Sequence, residues 1–219
     1  MSGLFIALEG LDGSGTTTQI GRLTEALPDT HRTAEPSTGP VGRLIRRALQ
    51  GEAPLGDGVL PYLFAADRQD HLEREIAPAV AEGRLVVTDR YYASSLAYQS
   101  LAAPLDFVLS LNERFRAPDL TIFLDLPVEE CLDRIESRMA SSGQPRERFE
   151  NLAQLQEISA AYGAALAVLG GRGERIVVVD GAGTPDEVFA RIMVTLRQIF
   201  PDRPLFAAAV EAAKNGADS

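Results

Sequence analysis

Lysine is almost absent from this chain. Of 21 basic residues only Lys214 is a lysine, and it lies in a small-residue tail. Tryptophan is missing altogether, and the single cysteine, Cys131, excludes an intrachain disulfide framework. One buried-type cysteine suits a reducing compartment. No apolar run approaches the ~18 residues that a membrane-crossing helix needs, so no membrane partner is expected. The N-terminus lacks the basic region of a signal peptide and enters an apolar stretch directly, so a cytoplasmic location is expected. Net positive charge is lacking as well. A formal charge of -10 and a pI near 4.7 argue against a general nucleic-acid binder.

What is present is organised around Phe5-Ile6-Ala7-Leu8-Glu9-Gly10-Leu11-Asp12-Gly13-Ser14-Gly15-Thr16-Thr17-Thr18-Gln19. An apolar run meets three glycines within a few residues, then hydroxyl side chains, then a helical pattern. Glycines let successive backbone N–H groups turn inward, and the helix N-terminus adds partial positive charge, so Gly10 to Thr18 reads as a phosphate cradle. The spacing Gly10-x4-Gly15-x-Thr17 matches the P-loop pattern except that Thr16 stands where the motif has lysine. With no lysine to replace it, the substitute cation is an arginine, a metal or a group donated by a partner.

Along the chain, apolar strand patterns at Leu4–Leu8, Leu85–Arg90, Leu120–Leu126 and Ile176–Val179, with a short extended piece near Arg32–Glu35, alternate with helical ones. This predicts an α/β fold: a three-layer α/β/α sandwich on a five-stranded parallel sheet, one domain over residues 1–200 with a tail at 201–219. The segment at 138–150 is small, polar and flanked by Arg138, Arg146 and Arg148, which is what a closing lid requires. A long helix is expected from Val59 to Glu82. Its positions Leu60, Phe64, Arg68, Leu72 and Ile76 share a face, and an arginine in such a stripe needs an anion or several acceptors. Thr17 occupies the position whose hydroxyl ligates Mg²⁺ in P-loops. Asp89 and Asp125 both end apolar strands and compete for the second metal role. Asp89 is preferred because Arg90 follows it, pairing a carboxylate with a phosphate clamp.

GLDGSG-x-TTQ, LFAADR, LVVTDRYYASSLAYQ, TIFLDLP and RERFE together resemble thymidylate kinases of the nucleoside monophosphate kinase group over roughly residues 3 to 200. The DRYxxSxxAYQ block is the most specific, since generic P-loop proteins lack it. The resemblance implies phosphorylation of dTMP to dTDP by ATP with Mg²⁺, and a homodimer. It places a base-stacking ring at Phe64, base recognition at Arg68, the acceptor-phosphate grip at Arg90 and a carboxylate near the sugar 3′-hydroxyl at Asp12. Tyr98 lies under the sugar, Ser94, Ser95 and Gln99 line the same pocket, and Glu35 and Pro36 belong to the loop bordering both phosphates. Gly10, Leu11, Asp12, Gly13, Ser14, Gly15, Thr16, Thr17 and Thr18 hold ATP.

Three positions depart from the family pattern: Thr16, Ala34 before Glu-Pro, and Ser95. The loop has no arginine at Gly13 or Ser14, so the lid is expected to supply the catalytic cation through Arg138, Arg146 or Arg148. Two other readings stand beside an active dTMP kinase. One is a nucleotide-binding pseudokinase that senses dTMP or dTTP, which Thr16 favours. The other is a kinase for a different deoxynucleoside monophosphate.

Overall fold

The computed structural model describes residues 3–142 and 151–206. Arg146 and Arg148, two of the expected lid arginines, lie outside them. The order of elements is β1 (Leu4–Gly10), α1 (Thr16–Ala26), β2 (His31–Ala34), α2 (Pro40–Leu49), α3 (Leu60–His71), α4 (Ala77–Ala81), β3 (Leu85–Asp89), α5 (Tyr92–Tyr98), α6 (Leu105–Asn112), β4 (Leu120–Asp125), α7 (Val128–Ser142), α8 (Leu152–Gly171), β5 (Ile176–Asp180) and α9 (Pro185–Ile199).

All described strands form one parallel sheet in the order β2-β3-β1-β4-β5. Every residue of β1 is buried, which is why Leu4 to Leu8 is continuously apolar rather than alternating. Its odd and even positions feed two cores. Phe5 and Ala7 pack with α5 and α8, while Leu4, Ile6 and Leu8 pack with α1, α9 and Phe206. The chain crosses from one side of the sheet to the other at β1, so the carboxyl ends of β1 and β3 frame the crevice where ligands of such sheets bind.

Several boundaries differ from the sequence reading. The helix expected over Val59–Glu82 is continuous but carries a π-helical turn at Leu72–Ile76 between α3 and α4, where the Ala77 N–H reaches the Leu72 carbonyl. Pro78 has no N–H for the regular bond to Arg74, and the wider turn absorbs that loss. Helix α7 runs to Ser142, through the start of the segment expected to be a lid. The core also extends past residue 200, because Phe206 is wholly buried.

Gly13 ties the phosphate loop to α7. Its φ is +85° and a Cβ there would meet the Cys131 carbonyl oxygen at 2.4 Å. Both the left-handed backbone and the clash oppose any side chain. Gly13→Ala is expected to cost about 1–3 kcal/mol of stability, measured by urea unfolding.

Candidate active site

Two cavities meet at the carboxyl edge of the sheet. The first, of about 330 Å³, is lined by Phe64 and Arg68 from α3, Ser94, Ser95 and Tyr98 from α5, Gln99 after it, Glu35 and Pro36 after β2, and Asp12 and Arg90. The second, of about 380 Å³, is lined by residues 11–19 together with Asp89, Arg90, Arg134 and Arg138. Gly10 lies at the base of the loop, where a Cβ would strike the Ser14 hydroxyl. The residues expected at the acceptor thus share one cavity, and Asp12 and Arg90 belong to both.

Arg68 is completely buried. Its Nε and Nη2 donate to Glu35 Oε2 at 2.9 and 2.5 Å, Nη2 also donates to Ser95 Oγ at 3.0 Å, and Nη1 donates to Asn112 Oδ1. A guanidinium has five N–H bonds, so these contacts leave one on Nη1. The other oxygen of Glu35 meets His71 Nδ1 at 3.2 Å, and His71 Nε2 meets Thr33 Oγ1 at 2.6 Å. The loop carrying Glu35 is pinned from both sides. Asp67 accepts from the Ser37 N–H and hydroxyl at 2.6 Å each, while Arg46 donates to the Pro36 and Ser37 carbonyls.

On the phosphate side, Asp12 accepts from Arg90 Nη2 at 2.7 Å and from the Tyr98 hydroxyl at 2.9 Å. The Tyr98 ring also lies under the Arg90 guanidinium, 5.0 Å from its centre. Burial and the neighbouring Asp12 carboxylate push Tyr98 above the ordinary phenol range, against the pull of Arg90, while Tyr98 and Asp12 hold Arg90 charged against its burial. Arg90 has φ +69°. A bulky residue in that region is an outlier, and it lies at the turn from β3 into α5 where the guanidinium must face both cavities. The Thr17 hydroxyl donates to Asp89 Oδ2 at 2.5 Å, and Asp89 Oδ1 is buried without a partner. Asp125, the competing carboxylate, is exposed and lines neither cavity.

Sequence reasoning missed four groups here. Glu9, inside β1, is wholly buried and faces Tyr91, Ser94 and Tyr162. Its available signal was a carboxylate within an apolar strand. Asn112 and Tyr162 carried none, because only the fold brings α6 and α8 to the pocket. Arg134, on α7, reaches the Ser14 carbonyl at 3.4 Å and the Gly181 carbonyl at 3.3 Å. It stands one helical turn before Arg138, so both face the phosphate loop.

The family model described as thymidylate kinase matches residues 8–192. The chain belongs to the thymidylate kinase family. Two archaeal proteins named probable thymidylate kinases are similar to it. That of Pyrobaculum calidifontis is 40% identical over 195 residues, covering 88% of this chain and 95% of that protein. That of Pyrococcus horikoshii is 41% identical over 166 residues, covering 71% and 78%. The solved thymidylate kinase of Candida albicans superimposes with a TM-score of 0.76 at 27% identity, over 90% of this chain and 92% of that one. As a member of the thymidylate kinase family, the protein is an enzyme, a kinase.

The Glu35–Arg68 pair is the least replaceable contact in the family pocket of this chain. Removing Glu35 leaves a buried guanidinium without its counter-charge. Glu35→Ala is therefore expected to lose about 3–5 kcal/mol. Asn112→Ala, which strands one donor only, should lose about 1–3 kcal/mol. Denaturant midpoints of both variants against the parent check the order.

Proposed function

We propose that the protein transfers the terminal phosphoryl group of ATP to dTMP, giving dTDP and ADP, with Mg²⁺ bound at Thr17 and Asp89. The observation that carries this reading is that Asp12 and Arg90 line both cavities, so an acceptor phosphate and a donor triphosphate share the same clamp. The acceptor cavity suits a thymine. Phe64 offers a ring for stacking, and Glu35 neutralises Arg68, whose remaining N–H fits a carbonyl oxygen rather than a phosphate. Gln99 Oε1 is buried without a partner and suits a base N–H.

The donor side fits ATP and a metal by the same criterion. Gly13 and Gly15 hold left-handed backbone with φ of +85° and +100°, and Asp89 Oδ1 is an unpaired buried acceptor beside the Thr17 hydroxyl. Thr17 and Asp89 would hold Mg²⁺ there, and the ion would supply positive charge against the negative charge of the phosphates. Arg90 grips the acceptor phosphate, whose oxygen attacks the terminal phosphorus while the bond to the bridging oxygen breaks and ADP leaves. Asp12 and Tyr98 hold the Arg90 guanidinium and face the sugar. A homodimer in a reducing cytoplasm completes this reading, supported by the family resemblance and by the single buried cysteine.

Thr16 is the feature that favours the second reading, a nucleotide sensor without transfer. Two unit charges ~4 Å apart at an effective dielectric of ~20 interact by about 4 kcal/mol. An uncompensated loss of that size would slow transfer about a thousandfold. Arg138 lines the phosphate cavity, and with Arg146 and Arg148 it is the proposed compensation.

ADP release with ATP·Mg²⁺ and dTMP, dUMP, dCMP or dGMP is expected to be fastest with dTMP. The Candida albicans enzyme is described as having broad substrate specificity, so slower turnover of a second acceptor fits the reading, whereas binding of dTMP without ADP release would establish the sensor. At least one of Arg138→Ala, Arg146→Ala and Arg148→Ala should lower kcat about a hundredfold or more, in proportion to 2.7 kcal/mol or above. Losses of only a few-fold in all three would defeat the compensation, and a large gain from Thr16→Lys would mean that the natural loop is simply impaired.

A further inference from the structure

We propose that Glu9 is a positioning residue for the acceptor-phosphate clamp, acting on Arg90 through the hydroxyls of Ser94 and Tyr162 rather than by contact. Glu9 stands at the end of β1, completely buried. Its Oε1 accepts from the Tyr91 N–H at 2.8 Å and the Ser94 N–H at 3.3 Å, which fixes the turn that carries Arg90. Its Oε2 accepts from the Ser94 hydroxyl at 2.5 Å and the Tyr162 hydroxyl at 3.1 Å. Those two hydroxyls in turn receive Arg90 Nη1, at 3.1 and 3.0 Å, while Nη2 is held by Asp12.

A hydroxyl has one proton and two lone pairs. Where Glu9 is an anion, both hydroxyl protons turn toward it or toward each other across the 2.7 Å Ser94–Tyr162 contact, and lone pairs face the guanidinium. A protonated Glu9 gives up one acceptor position and turns a hydroxyl proton toward the Arg90 N–H. The clamp then loses an anchor. Burial pushes the Glu9 carboxyl up to about 7, against the Ser94 and Arg90 contacts that favour the anion. The other titratable groups around it are Tyr91 on the same turn, Tyr162 on α8, and Asp12, Asp89 and Tyr98 beyond Arg90. The two tyrosines are held neutral by burial. Glu9 therefore changes charge near neutrality, and the clamp tightens as pH rises through about 7.

The inference rests on the dTMP kinase reading and is tested by dTMP affinity and by steady-state rates from pH 5.5 to 8.5. The second ionisation of the dTMP phosphate, near ~6, is common to all variants, so the comparison is between variants at each pH. Glu9→Gln keeps the shape and abolishes the charge. It should raise KM for dTMP about ten- to a hundredfold at pH 8, the worth of a hydrogen bond to a charged group. KM for ATP should stay within a few-fold, and the step near pH 7 should vanish. Glu9→Asp should recover part of the affinity and keep a step. Tyr162→Phe, which leaves Glu9 intact, should raise KM for dTMP several-fold and also keep the step. A Glu9→Gln enzyme with the parent's pH profile and dTMP affinity overturns the inference and leaves the kinase reading intact. A Glu9→Gln enzyme whose KM for both nucleotides rises together assigns Glu9 to general structure and overturns it too. A parent protein that binds no dTMP removes both.

Discussion

A guanidinium sealed from water holds the acceptor half of this molecule together. Arg68 takes Glu35 from the end of β2, Ser95 from α5 and Asn112 from α6, and it packs over the Tyr91 ring at 5.0 Å. A buried cation is tolerated only when its charge and nearly all its donors are met, so each of those elements has one permitted distance from α3. The pocket's shape follows from that requirement. His71 extends the chain of contacts outward to Thr33 and Glu75, and Glu75 meets His31 at 2.9 Å, so both histidines of the sequence belong to this one network.

The phosphate half is built differently. Its floor is the loop backbone, with left-handed glycines at 13 and 15 leading into the first turn of α1, whose leading amides have no intrahelical partner, and Arg134 and Arg138 add side chains to its wall. Where the two halves meet, side chains take over again, namely Asp12, Arg90, Tyr98 and the Glu9 cluster behind them. The division suits phosphoryl transfer. A triphosphate is recognised well by diffuse positive potential, whereas transfer needs two phosphates aligned in one direction, which is a matter of position.

Much of this was legible because β1 and the loop after it are local. An unalternating apolar run, three glycines and a hydroxyl pair specify strand, turn and helix start without help from distant residues. The stripe Leu60, Phe64, Arg68, Leu72, Ile76 was legible for the same reason, and a lone arginine in it announced acceptors yet to be found. What the acceptors were could not be read. Glu35 lies 33 residues from Arg68 and Asn112 lies 44 away, and nothing in local periodicity joins them. The π-helical turn was hidden because a proline at position 78 permits either a kink or a widened turn, and packing decides. Tyr162 was invisible, being one aromatic on a helix whose other apolar residues read as ordinary core. Arg134 was passed over in favour of residues nearer the expected lid, because the approach of α7 to the phosphate loop depends on Gly13 lying against Cys131.

The buried hydroxyl lattice follows from the use of guanidinium rather than ammonium at the buried cationic positions. An ammonium on a flexible stem finds a phosphate by rotation and sheds its proton readily when buried; a guanidinium keeps its charge but has a rigid fork that must be aimed. A chain that places guanidinium groups at its buried cationic positions therefore has to supply fixed acceptors behind each one. Arg68 has Glu35, Ser95 and Asn112; Arg90 has Asp12, Ser94 and Tyr162. Those acceptors must themselves be oriented, and for Arg90 the group that orients them is an acid inside a strand that otherwise reads as pure core. The carboxylate at position 9 thus belongs with the guanidinium at position 90, through the two hydroxyls between them.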